Sequence, residues 1–410
     1  MNSNDLKSKL SRFDQHISSS KKRSAESRPP DHYRLLAERL GGELVTNYTG
    51  VYCLVNTHYT RRYRHGQAGQ ATAPAPDSLD RSAFTVQEQP GRVATSSLLF
   101  IDTETTGLGG VGAVAFLVGC GSWVDGEFEV RQYLMPDYAD ETAMLETVLA
   151  ELGTDRTLVT YNGAAFDLPL LRARMIVNRV SRDIPMADHI DLLHSARRLF
   201  RRRLADCSLT NVERELFDFH REDDVPGYLI PSIYFDWLSG RRLDGMADVL
   251  EHNRLDIVSL WFLADHISRA FESDGASLDE ADDLHSLARV YARRRDNEKV
   301  VGLYSRIDEL SGGRSQPDVA LFHAQAFKRA GDWEQAVRLW RGLCNREGRE
   351  AYWANLELAK YYEHQSGDFE RAYYHAQMAT SICPYGPNHR SGLNRRLKRL
   401  TCKKKRNGDI

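Results

Sequence analysis

An α/β domain followed by an all-α region is the architecture this 410-residue sequence predicts. Two observations carry the prediction. Between Leu98 and Tyr161, short apolar runs alternate with a helical pattern, as strands interleaved with helices should. Beyond Leu284 the strand-like runs stop, and helical segments recur in pairs that resemble one another.

Residues 1–32 are rich in Ser, Lys and Arg and close on Pro29-Pro30, the composition of a disordered basic arm. Residues 33–90 read as a small cap segment and a flexible linker. They hold a short helical pattern, a Gly41-Gly42 break and the strand-like Gly50-Val51-Tyr52-Cys53-Leu54-Val55. A run rich in Gly, Ala, Gln and Pro follows, from Gly66 to Pro76. The α/β domain spans 91–272. In it Leu98 to Asp102 predicts a first strand, Ala113 to Gly121 a second, and Glu127 to Leu134 a third after the Asp125-Gly126 turn. Glu141 to Leu152 predicts an amphipathic helix and Thr157 to Tyr161 a fourth strand. Helices dominate from Asp167 to Phe271.

In 282–386 the helical pairs share a turn. Gly331-Asp332-Trp333-Glu334 and Gly367-Asp368-Phe369-Glu370 each separate two helical patterns, at an offset of 367 − 331 = 36 residues. That is close to the ~34 of a tetratricopeptide repeat. Leu287 to Ile307, with its Arg295-Asp296-Asn297 turn, reads as a degenerate earlier copy, and a non-repeating helical bundle is the alternative. Such repeats offer a concave helical surface to a protein or to RNA. Residues 387–410 read as a basic C-terminal tail, a helix end running into a disordered stretch that attracts nucleic acid, with Arg395-Arg396-Leu397-Lys398-Arg399 followed by Lys403-Lys404-Lys405-Arg406.

An apolar share of 41% and a charged share of 27% describe an ordinary globular protein. No charge-free apolar run is long enough to span a bilayer, and the N-terminus lacks the apolar core of a signal peptide. Six cysteines lie far apart, at 53, 120, 207, 344, 383 and 402. That spacing excludes a zinc or redox motif and reads as reduced thiols in a cytoplasmic protein.

The chemistry lies in carboxylates. In Phe100-Ile101-Asp102-Thr103-Glu104-Thr105-Thr106-Gly107, Asp102 and Glu104 are i and i+2 in a strand and so project to one face. Two like charges that close repel unless a cation sits between them. In Tyr161-Asn162-Gly163-Ala164-Ala165-Phe166-Asp167, a strand runs through a polar turn into a helix that carries Asp167 near its start. Asp167 reads either as a helix N-terminal charge or as a carboxylate held against a packed wall. In Glu251-His252-Asn253-Arg254-Leu255-Asp256, His252 and Asp256 are i and i+4 on one helix face, a simple hydrogen-bonded couple or part of a site. Together Asp102, Glu104, Asp167 and Asp256 can hold two Mg²⁺ or Mn²⁺ ions, with His252 as general base, for metal-assisted phosphodiester hydrolysis.

In this order the three motifs resemble those of the DnaQ-like (DEDD) 3′→5′ exonuclease superfamily. More narrowly, the chain is similar to the bacterial YprB-type ribonuclease-H-like proteins, through Phe116-Leu117-Val118-Gly119, Asp191-Leu192-Leu193-His194 and Asp224-Val225-Pro226-Gly227-Tyr228-Leu229-Ile230-Pro231. The match covers roughly Gly91 to Phe271. The resemblance implies a ribonuclease-H-like fold with a central mixed β-sheet flanked by helices. It also implies exonuclease activity with two ions on the four acids, Thr106 and Gly107 near the terminal nucleotide, and Asn162 in support. Family members with a catalytic histidine place it five residues before the last aspartate, and those with tyrosine four before. Here a histidine occupies the tyrosine-like spacing.

Arg197, Arg198, Arg201 and Arg202 follow His194 at helical spacing, suited to phosphate contacts with single-stranded DNA or RNA. A nucleic-acid-binding scaffold with an inactive nuclease-like domain and partner-binding repeats is the alternative reading.

Overall fold

The computed structural model describes residues 29–60, 62–66, 77–85, 91–107, 112–240 and 242–408. Two compact units divide the chain, the first ending at Glu272 and the second starting at Ser273.

The first unit runs α1 (Asp31–Arg39), β1 (Glu43–Asn47), β2 (Gly50–Tyr59), β3 (Ser78–Asp80), β4 (Arg92–Ala94), β5 (Leu98–Thr105), β6 (Ala115–Val124) and β7 (Glu127–Leu134). It continues with α2 (Glu141–Leu152), β8 (Thr157–Thr160), α3 (Asp167–Val177), β9 (Asp188–Asp191), α4 (Leu192–Phe200), α5 (Leu209–Phe217), α6 (Ile230–Gly240) and α7 (Met246–Glu272). Seven strands form one mixed sheet in the order β1-β2-β7-β6-β5-β8-β9, and β3 pairs with β4 apart from it. The β5–β8 and β8–β9 ladders are parallel, and the other pairs of the large sheet are antiparallel.

β5 begins as a continuous apolar run, Leu98 to Ile101, because both of its faces are covered. Leu99 and Ile101 join a core with Met144, Leu145 and Val148 of α2. Phe100 points the other way and meets Trp261 of α7 edge to face, with ring centroids 5.8 Å apart. By strand alternation, Asp102 and Glu104 continue the Phe100 face toward α7.

The α/β expectation holds, with three corrections. The segment after Tyr33 is no separate cap. Tyr33 and Leu36 are fully buried in the main core, and β2 pairs with β7 from Cys53↔Leu134 to Tyr59↔Phe128. Without β2, the long strand β7 would be left an open edge. Asp188–Asp191 is a strand within the stretch expected to be helical. It is four residues long and polar at three of them, so no apolar pattern reveals it. The third correction lies at the C-terminus. The N-terminal arm and most of the 66–76 linker fall outside the described residues.

The second unit is all helical: α8 (Ala281–Arg294), α9 (Asn297–Leu310), α10 (Pro317–Ala330), α11 (Trp333–Cys344), α12 (Arg349–Tyr361), α13 (Phe369–Ser381) and α14 (Pro387–Gly408). Three pairs share one turn chemistry. Arg295, Gly331 and Gly367 are left-handed and end the first helix of each pair. The next residues, Asp296, Asp332 and Asp368, cap the second helix by accepting from the backbone N–H three residues on, at 3.2, 3.1 and 3.0 Å. The spacing, 331 − 295 = 36 and 367 − 331 = 36, makes Arg295-Asp296 the first of three equivalent turns.

The basic stretch expected as a tail is the long helix α14. Leu393 and Leu400 are buried, with Leu397 packed beside them, so i, i+4 and i+7 form an apolar stripe. Arg396, Arg399 and Lys403 turn inward onto the buried carboxylate of Glu363.

Among the described residues, no helix is long and apolar enough to cross a membrane, and all six cysteines are free thiols.

Candidate active site

β5 lies where the chain changes sides of the sheet, with β6 and β7 on one flank and β8 and β9 on the other. In open α/β sheets, ligands bind outside the carboxyl ends of strands at such a switch point. The parallel ladder between β5 and β8 runs from Leu98↔Thr157 to Phe100↔Val159 and stops there. Asp102 and Glu104 therefore emerge past the end of β8.

Each acid is positioned by a different element. Asn253 of α7 donates to Asp102 Oδ2 at 2.8 Å and to its carbonyl oxygen at 3.3 Å. The Asn253 amide is itself fixed, because its Oδ1 accepts from Gln132 Nε2 of β7 at 2.8 Å. Asp167 opens α3 and is 7% exposed. It accepts from the Thr103 hydroxyl at 2.6 Å, so it reaches β5 from the face opposite α7. Asp256 and His252 lie one turn apart on α7, with His252 Nε2 3.7 Å from Asp256 Oδ2.

The electrostatics tie these groups together. Burial, and then the charges of Asp256 and Asp167, hold the Asp102 carboxyl well above its usual range. Glu104 is raised in the same way, by burial and by Asp102, Asp256 and Asp167. Burial pushes Asp167 up to about 6 against the opposing Thr103 hydrogen bond. Carboxylates are all-oxygen donors, of the kind that hard divalent cations take. Among the described residues, no three His, Cys, Asp or Glu side chains stand close enough together to hold a metal ion as they are placed.

A second cluster, built around one guanidinium, adjoins them. Arg221, in the loop between α5 and α6, holds Glu213 by two bonds, Nη2 to Oε1 at 2.6 Å and Nε to Oε2 at 2.9 Å. The same Nη2 donates to Asp256 Oδ1. Its Nη1 stands 3.4 Å from Asp224 Oδ2. Asp224 Oδ1 lies 2.7 Å from His252 Nδ1, which fixes the imidazole ring.

The remaining residues singled out in the sequence fall as follows. Thr106 closes the loop after β5, with its N–H on Val114 O at 2.9 Å and its hydroxyl accepting from Val114 N at 3.0 Å. Around Gly107, beside it, no described residue comes within 4 Å of where a Cβ would stand. Asn162 is left-handed at φ 66° and gives its backbone N–H to Asp191 at 2.8 Å, a turn role. The four arginines do not share one helix face, because α4 ends at Phe200 and leaves Arg201 and Arg202 in the following turn. Arg198 is committed to structure, bonding Ala83 O at 2.8 Å and Ser195 Oγ at 3.0 Å, whereas Arg197 and Arg201 are exposed.

Sequence reasoning missed Asn253, Gln132, Arg221, Glu213 and the role of Asp224. A signal existed for Asn253, a polar residue on the buried stripe Leu250, Asn253, Ile257. None existed for Arg221, whose partners lie 8, 3 and 35 residues away in chain.

Comparison with known proteins agrees with this geometry. A sequence profile described as RNase_H superfamily matches residues 99–268, from β5 into α7. The chain is 32% identical over 336 residues to the uncharacterized protein YprB of Bacillus subtilis (strain 168), covering 80% of this chain and 81% of that one. A domain of this superfamily points to nucleic-acid hydrolysis as the class of chemistry. The chain belongs to the same family as YprB and carries an RNase_H superfamily domain over residues 99–268.

Proposed function

We propose that the protein is a metal-dependent 3′→5′ exonuclease of the DnaQ-like (DEDD) type, acting on single-stranded nucleic-acid ends. One observation carries the reading: Asp102, Glu104, Asp167 and Asp256, from three separate segments, act on one another electrostatically at the carboxyl end of β5. The donors are all oxygen and suit hard divalent ions, so these four residues would hold two Mg²⁺ or Mn²⁺. Such ions, when bound, favour ionisation of an attacking water and stabilise the charge that develops on the phosphodiester.

The chain's own residues do the rest. Asn253 keeps Asp102 aimed into the site. Asp224 accepts the proton-bearing Nδ1 of His252, which leaves Nε2, on the Asp256 side, to take the proton from the attacking water. Thr106, Gly107 and Asn162 border the terminal nucleotide, and the exposed Arg197 and Arg201 attract phosphates. The paired helices are read as tetratricopeptide-like, a surface for a protein partner.

The test uses single strands of DNA and RNA labelled at either end. Wild type with Mn²⁺ should shorten them stepwise from the 3′ end, and an Asp102→Asn, Glu104→Gln variant should not. Equal activity in that variant, or a product formed without metal, overturns the reading. The engagement of Asp256 by Arg221 favours a second reading, a binding scaffold with an inactive nuclease domain. Strand binding without cleavage at any metal concentration would establish it.

A further inference from the structure

Of the four acids, Asp256 is the one with a buried positive charge on it. Neutral groups orient Asp102 and Asp167, namely the Asn253 amide and the Thr103 hydroxyl. The Arg221 side chain is 4% exposed and that of Glu213 1%. A bidentate bond to Glu213 already satisfies a structural ion pair. Ser259 Oγ adds a further donor to Glu213, and its own oxygen stands 2.8 Å from His65 Nε2. His65 is in turn stacked against Phe219, centroids 3.9 Å apart, and against Phe262 at 5.0 Å. Arg221 is thus anchored from behind by a buried network, and its contact with Asp256 is the edge of that network facing the site.

A guanidinium cannot shed its proton to make way for a metal ion. Held by Glu213, it cannot swing away as a surface arginine would. A cation approaching Asp256 meets a carboxylate with one oxygen already taken and a like charge beside it. We propose that Arg221 is a resident counter-cation that competes with a divalent ion for Asp256, so that the site fills in two unequal steps. The weaker step is the one that uses Asp256. This rests on the metal-site reading above and adds to it a residue that sets how much free metal the protein requires.

The experiment is Mn²⁺ binding to the full chain, by calorimetry and by the electron paramagnetic resonance signal of the free ion, with no substrate present. The key variant is Arg221→Gln with Glu213→Gln, which removes both partners and leaves no orphaned buried charge. Circular dichroism confirms that it is folded. Net charge near the site is unchanged in this variant, so the gain reads the Asp256 oxygen that Arg221 releases and the positive charge lost directly beside it; the weaker ion should bind about tenfold more tightly. Adding Asp256→Asn should abolish the gain, and Arg221→Lys, which keeps the charge, should stay near wild type. Unchanged or weaker binding in the folded double variant overturns the proposal while leaving the metal site intact. Absence of Mn²⁺ binding in wild type and double variant alike overturns both readings.

Discussion

Gly119 of β6 stands directly across the ladder from Asp102 of β5, and its missing side chain makes room for the group that orients that carboxylate. A Cβ at Gly119 would lie 2.3 Å from Asn253 Oδ1 and 2.2 Å from Ile257 Cδ1. Gly121, two residues on, makes the same allowance for Ile257, at 2.4 Å. The Gly119-Cys120-Gly121 run is therefore a groove in the sheet into which α7 settles. Gly119→Ala should destabilise the first unit by about 1–3 kcal/mol, the cost of overpacking a dense interior. It should also weaken Mn²⁺ binding by displacing Asn253. Denaturant unfolding and calorimetry check both, and a variant as stable and as metal-competent as wild type would remove the groove argument.

Asn253 itself carries the next prediction. It takes Gln132 from β7 on one side and gives to Asp102 on the other, so it carries orientation from the sheet to the acid. Asn253→Ala should lower Mn²⁺ affinity about 10–100-fold, as loss of a partner behind a metal ligand does. The acid itself remains in place. Affinity within twofold of wild type would show that Asp102 needs no support.

Under the proposed mechanism, the Asp224–His252 pair lets proton transfer be tested apart from metal binding. Asp224→Asn leaves the four acids intact but no longer selects which imidazole nitrogen carries the proton. Turnover should fall about 10²-fold or more, within the range of general-base contributions, and His252→Ala should fall at least as far. Mn²⁺ affinity should change little in either variant. A turnover unaffected by both substitutions would assign the proton to another acceptor.

How much of this was legible beforehand follows from the reach of local signals. The first strand, the Glu141–Leu152 helix and the Gly-Asp turns are written in neighbouring residues, and the structure has them where periodicity and capping chemistry place them. The acids could be marked because a carboxylate at a strand end or helix start is conspicuous in its own segment. Arg221 could not, because a buried ion pair assembled across 35 residues leaves no periodic trace. The placement of the N-terminal strand in a separate cap fails for a related reason. Val51, Cys53 and Val55 announce a strand, yet only tertiary pairing says that its partner is β7, more than 70 residues later. The run of cations in α14 reads as a tail for nucleic acid because Glu363, which neutralises three of them, is 33 to 40 residues upstream.

That last pairing gives a prediction with a definite pH sign. Glu363 lies in the π-helical turn Tyr362–Ser366, and its side chain is fully buried. Arg399 reaches its two oxygens at 2.7 and 2.9 Å, Lys403 is at 3.0 Å, and Arg396 bonds it as well. Burial alone would raise the carboxyl, but Arg399, Lys403 and Arg396 outweigh it and hold it down at about 2. A folded pKa below the unfolded one means that the unfolded chain binds more protons on acidification. The stabilisation is therefore fully present above about pH 4.5 and drains away as pH falls toward 2, by about 3 kcal/mol in all. Hydrogen exchange of the α14 amides reads this directly. In wild type, protection should drop steeply between pH 4.5 and pH 3. In Glu363→Gln it should be lower at pH 7 and nearly flat through the same window. A wild-type-to-variant difference that stays constant from pH 7 to pH 3 would mean that α14 is held by its leucine stripe alone.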